Sequence, residues 1–155
     1  MINVVKKELA GENRQHYVDV RTMIAYEKKN NLLYRSGGLS GTDALLQLHR
    51  ALEFVCDFMK ELMKDEEEEP ALGQVASELY LATVGRFHPS ILSRTFSGVL
   101  YLLPSRTTIQ DRITRENEEA EELMRRVMPE AIWSVTQTYE ACQALYRDND
   151  LPFRM

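Results

Sequence analysis

The segment Leu79–Arg106, LYLATVGRFHPSILSRTFSGVLYLLPSR, decides how the rest of the chain is read. Apolar residues recur at helical spacing on both sides of His88-Pro89, so the pair reads as a break between two helices. Proline fits the first turn of a helix, where its missing N–H is not needed, and it drives the preceding residue out of the α region. His88 therefore stands at a helix entrance. Beyond it, Leu92, Phe96, Val99 and Leu103 recur at four, three and four residues and line one face, until Pro104-Ser105 ends the helix. An imidazole at one end of an apolar stripe has two readings. It is a capping or core histidine, or it is the polar lip of an apolar cavity.

Moving outward, Asp43–Lys64 carries the strongest helical pattern. Leu45, Leu48, Leu52, Val55, Met59 and Leu62 form one stripe. The adjoining face holds Asp43, Gln47, Ala51, Phe54 and Phe58, polar in its first turn and apolar afterwards. Such a face suits a ligand with a polar head and a hydrocarbon body; it equally suits an ordinary core in which Phe54 and Phe58 pack and Asp43 caps. Ser40 or Thr42 can satisfy the free N–H groups at the start of this helix, and Arg35–Gly41 reads as a loop. Asp65–Glu69 reads as a solvated loop. From Pro70, another helix runs through Leu72, Val75, Leu79, Ala82 and Phe87 to the His88 break.

Met1–Leu9 reads as the tail end of a helix, closed by the breakers Gly11 and Asn13. A second helix is expected from Gln15 to about Leu33, with Tyr17, Val20 and Ile24 on one face. After Arg106, Thr107 or Thr108 is expected to cap a short polar helix, and Glu116–Glu122 is acidic and exposed. A last helix is expected from Pro129 to Tyr146, with Ile132, Val135, Tyr139 and Cys142 on one side and Trp133 nearby, before a tail at Leu151–Met155. No strand pattern competes with these helices, so the expected class is all-α.

Composition narrows the function. A chain of 155 residues is long enough for a single domain, residues 1–155, with a real core. Its net charge of −5 with scattered basic residues argues against nucleic acid and against strong attraction to anionic lipid. No long uncharged apolar run and no leader pattern is found, so a soluble, unexported cytosolic protein is expected. Cys56 and Cys142 fit reduced, buried thiols. No phosphate loop, metal-binding cluster, cofactor motif or nucleophile–base pair is visible, so no enzyme is expected.

Two segments, LLQLHRALEFVCDFMKEL (45–62) and the Leu79–Arg106 stretch, resemble the glycolipid transfer protein family in this order. GENRQHYVDVRTMIAYE (11–27) and YEACQALYRDNDL (139–151) resemble its ceramide-1-phosphate branch. The resemblance implies a two-layer helical sandwich enclosing the chains of one sphingolipid, with the headgroup at the surface. Its members move lipids between membranes, meeting those membranes transiently, and catalyse no covalent change. His88 matches the family histidine that hydrogen-bonds the ceramide amide region. The early-helix polar pair aligns with Asn3 and Lys6, or with Asn3 and Lys7, while the Asp expected one turn earlier would precede Met1; the family's first helices have no counterpart before it. Arg50 keeps its family position, as a ligand contact or a structural ion pair.

Two departures bear on the headgroup. Where the phosphate-selective branch has two arginines, this chain has Asp43 and Gln47, and an acidic side chain repels phosphate. The Trp that usually follows the HP pair is Ser90. With Phe54, Phe58, Phe96, Val99 and Leu103 lining the chain pocket and His88 at its mouth, the chain is expected to transfer ceramide-1-phosphate. The alternative is a non-transferring lipid sensor or helical interaction module that kept the fold and lost headgroup recognition.

Overall fold

The computed structural model describes residues 2–33, 38–64 and 70–151. Among them the regular elements are helices: α1 (Ile2–Leu9), α2 (Val20–Lys29), α3 (Gly41–Leu62), α4 (Leu72–Ala82), α5 (Ser90–Tyr101), α6 (Arg106–Thr114) and α7 (Glu118–Asp148). Single turns of 3-10 helix lie at Arg14–His16 and Gly85–Phe87. The all-α expectation is met. Met1, the Arg35–Gly37 part of the expected loop, the Asp65–Glu69 loop and the tail at 152–155 lie outside the described residues.

Several boundaries differ from expectation for local reasons. The helix expected from Gln15 begins at Val20, because Asp19 in extended backbone accepts the Thr22 N–H at 2.8 Å. It ends at Lys29, ahead of Asn31 at φ 52°, a left-handed turn that asparagine tolerates. The helix expected to run to Phe87 stops at Ala82, after which the 3-10 turn delivers His88 in extended backbone to Pro89. Helix α5 stops at Tyr101, so Leu103 lies past its end, next to Pro104. Ser105, rather than Thr107 or Thr108, caps α6 by accepting the Thr108 N–H at 3.2 Å.

Helix α7 starts at Glu118 and runs through Pro129 instead of beginning there. Asn117 Oδ1 accepts the Ala120 N–H at 2.9 Å, and Glu118, Glu119 and Glu121 in the first turn suit the positive end of the helix dipole. These favourable terms offset the N–H that Pro129 cannot donate.

The chain folds as two compact units, one of residues 1–50 with 141–155 and one of residues 51–140. The first is built on Ile24, Leu46, Tyr146 and Leu151. The Tyr146 hydroxyl donates to the Thr42 carbonyl at 2.6 Å. Glu27, only 1% exposed, accepts the Gly41 and Thr42 N–H groups at 2.8 and 2.9 Å and the Tyr17 hydroxyl at 2.9 Å. A carboxylate on α2 thus satisfies free backbone donors at the start of α3.

His49 is buried in the same unit, stacked on Tyr146 at 6.2 Å. Burial, and then the Arg50 charge beside it, hold its imidazole below the ordinary value of 6.5. The unfolded chain therefore binds this proton more readily, and stability falls as pH drops through that value. A His49→Gln variant is expected to lose this part of the acid dependence in urea midpoints taken across pH; an unchanged profile would contradict it.

In the second unit, α4 and α5 approach through small residues. A methyl added at Gly73 would overlap the Tyr101 carbonyl, and the hydroxyls of Ser77 and Ser97 meet at 2.6 Å. On α5 and just past its end, Ile91, Leu92, Val99 and Leu102 are exposed. Gly73→Ala is expected to push the two helices apart and cost about 2 kcal/mol. An unchanged urea midpoint would rule out so close a contact. Buried Arg106 donates from Nε to the Glu61 carbonyl at 3.0 Å and from Nη2 to the Pro70 carbonyl at 3.1 Å. Gln110 donates to the Leu62 carbonyl at 2.7 Å. The start of α6 thus satisfies carbonyls that the end of α3 leaves free.

Candidate functional site

Tyr80 occupies the last turn of α4, at the end of a buried row with Leu72 and Ala76 spaced four residues apart. A phenol closing such a row needs a polar partner. The 3-10 turn and the extended backbone before Pro89 supply it: the Tyr80 oxygen lies 2.6 Å from His88 Nδ1. Tyr80 is 6% exposed, whereas the His88 side chain is exposed.

Around this pair the second unit assembles a row of rings. Phe54 and Phe58, one turn apart on α3, lie nearly parallel with centroids 5.7 Å apart. Phe54 meets the Tyr80 ring at 88° and 6.3 Å. Phe96 of α5 lies 6.1 Å from Tyr80 and 6.3 Å from His88. Four sequence-expected residues, Phe54, Phe58, Phe96 and His88, therefore come together around Tyr80. Phe96 is 49% exposed, so the row ends at the surface. Such a row offers apolar and π surface beside one exposed imidazole, an arrangement suited to an apolar chain with a polar group at one end.

Val99 is on the exposed side of α5, and Leu103 follows the helix and is half-buried. A cavity of about 360 Å³ in this unit is lined by Lys64, Asp111, Glu121 and Arg125 among others, and by none of the expected pocket residues. Burial pushes the thiols of Cys56 and Cys142 up, and both cysteines are free. They are protonated at neutral pH and poor nucleophiles. Among the described residues no group of three or more His, Cys, Asp or Glu could hold a metal ion.

The other expected headgroup residues belong to the first unit. Asn3, Lys6 and Lys7 are exposed on α1, where spacings of three and four residues put Asn3 beside either lysine. Asp43 is buried and takes part in the start of α3. Its Oδ2 accepts the Ser40 N–H at 3.2 Å and the Ser40 hydroxyl at 2.9 Å, and the Ser40 Oγ accepts the Asp43 N–H at 3.0 Å. This reciprocal box matches the capping reading of Asp43. Gln47 and Arg50 are half-buried.

Tyr80 is the member of the ring row that sequence reasoning missed. Its signal was the Leu72–Ala76–Tyr80 spacing, which places a phenol two turns before His88 on the side of α4 that packs.

Residues 1–115 match the family model described as Glycolipid transfer protein (GLTP). The chain is 26% identical over 157 residues to the ceramide-1-phosphate transfer protein of Rattus norvegicus, with 97% of this chain and 70% of the relative covered. Among solved structures, the apo form of mouse ceramide-1-phosphate transfer protein is similar at 28% identity and a TM-score of 0.80, covering 97% of this chain and 71% of that one. The human ceramide-1-phosphate transfer protein in complex with 12:0 ceramide-1-phosphate has the same TM-score at 23% identity, covering 97% and 72%. No helix among the described residues is long and apolar enough to cross a membrane.

Proposed function

Because the chain belongs to the glycolipid transfer protein family, we propose that it holds one sphingolipid, ceramide-1-phosphate, and carries it between membranes. No covalent bond changes. The observation that carries this reading is the ring row from Phe58 and Phe54 to Tyr80 and Phe96, ending at exposed His88. Hydrocarbon lies along Phe54, Phe58, Phe96, Val99 and Leu103, and the imidazole meets the acyl-amide region. Burying an amide without a partner is costly, so one well-placed hydrogen bond both orients the lipid and offsets its desolvation.

The names of the relatives support ceramide-1-phosphate as the cargo. Asp43 is engaged by Ser40 and Gln47 is uncharged, so neither supplies a cation for a phosphate; Lys6 and Lys7 are exposed on α1 of the first unit, with Asn3 beside them. Arg50 stands near the family's phosphate positions in sequence. The protein is read as cytosolic and only transiently at membranes.

Asp43 also favours the second reading, a lipid sensor or helical interaction module, because it places a buried carboxylate where phosphate recognition calls for a cation. Vesicle-to-vesicle transfer of fluorescent ceramide-1-phosphate separates the two. Transfer above the protein-free rate supports the carrier; a folded helical protein that transfers none leaves the second reading.

A further inference from the structure

The contact between Tyr80 and His88 fixes more than a distance. Tyr80 is 6% exposed, and His88 Nδ1 is the partner recorded for its hydroxyl, at 2.6 Å. A phenol has one proton to give. If Nδ1 carried the ring's proton and donated it to the phenol oxygen, the Tyr80 O–H would be a buried donor with no acceptor, which costs more than the bond returns. The satisfied arrangement has Tyr80 donating and Nδ1 accepting. Burial also pushes the Tyr80 phenol up, so it keeps its proton through the neutral range.

A neutral imidazole whose Nδ1 accepts must carry its hydrogen on Nε2. That nitrogen belongs to an exposed side chain, whereas Tyr80 is anchored in the last turn of α4. We infer that Tyr80 is a positioning residue that locks His88 as the Nε2–H tautomer and presents a hydrogen-bond donor, not an acceptor, to the ligand. A donor there matches a carbonyl oxygen, such as that of an N-acyl group. It does not match the ammonium of a free long-chain base, which offers donors of its own. The inference deepens the lipid-carrier reading and rests on it for the identity of the ligand. The tautomer itself follows from the Tyr80 contact alone.

The test is side-chain ¹⁵N NMR of His88 in lipid-free protein, recorded at mildly alkaline pH, for the parent chain and Tyr80→Phe. The parent is expected to show a protonated Nε2 and an unprotonated Nδ1. In Tyr80→Phe the two nitrogens should move toward the averaged shifts of exchanging tautomers, with the remaining amide spectrum retained. Binding of short-chain ceramide-1-phosphate should weaken about tenfold in the same variant. An Nδ1–H tautomer in the parent, or a Tyr80→Phe spectrum identical to it at His88, overturns the inference. So does a changed tautomer with unchanged affinity. A parent showing the Nε2–H tautomer, lost in Tyr80→Phe, but taking up no ceramide-1-phosphate supports the hold of Tyr80 on His88 and counts against the cargo.

Discussion

Replacing Glu27 with leucine is expected to lower the free energy of unfolding by about 3 kcal/mol or more, a large fraction of the stability of a domain this size. The carboxylate is 1% exposed and receives three hydrogen bonds, from the Gly41 and Thr42 N–H groups and from Tyr17. Leucine fills much of the space but strands all three donors, two of them backbone groups at the start of α3 that cannot turn elsewhere. Burial first, and then the bond to Glu27, push the Tyr17 phenol up, so it stays a donor throughout the usable pH range. Glu27→Gln keeps one acceptor oxygen and should lose less. Urea denaturation of the three proteins ranks them parent, Gln, Leu. A Leu variant as stable as the parent would show that α3 does not depend on this contact.

His88→Ala is expected to reduce ceramide-1-phosphate transfer about fivefold or more while helix content is unchanged. The side chain is exposed, so its removal leaves no cavity in a core. Its contribution to the proposed function is a directed hydrogen bond to a group otherwise drawn out of water, a loss on the order of 1–3 kcal/mol in the bound state. The circular dichroism spectrum checks the fold and the initial transfer rate checks the role. Transfer at the parent rate would remove His88 from the ligand site.

Much of this architecture was legible in the sequence because it is local. The His88-Pro89 break, the Ser40 cap and the 3.6-residue periodicity of α3 and α4 depend on residues within a turn of one another. The family motifs lie in the same segments. What escaped was decided at longer range. Glu27 stands in the polar stretch Glu27–Asn30, where the helical pattern thins out. Its role becomes visible only when Tyr17 and Gly41, ten and fourteen residues away, are brought to it.

The close approach of α4 to α5 was not legible either: beside the Tyr80–Phe96 contact, the two helices meet through Gly73, Ser77 and Ser97, whose small side chains permit an approach that large ones would block. The start of α7 was misplaced at Pro129 because proline is a strong local signal; the Asn117 cap and an acidic first turn act eight to twelve residues upstream. For the site, the ring row was half legible. Phe54 and Phe58 share a helical face, but their meeting with Phe96 through Tyr80 is tertiary.

Native mass spectrometry tests the central claim most directly. The purified protein is mixed with vesicles containing ceramide-1-phosphate, a glycosphingolipid and plain phospholipid, then recovered and weighed intact. The account predicts a one-to-one adduct with ceramide-1-phosphate, diminished in His88→Ala. A folded, helical protein recovered without any lipid would contradict it.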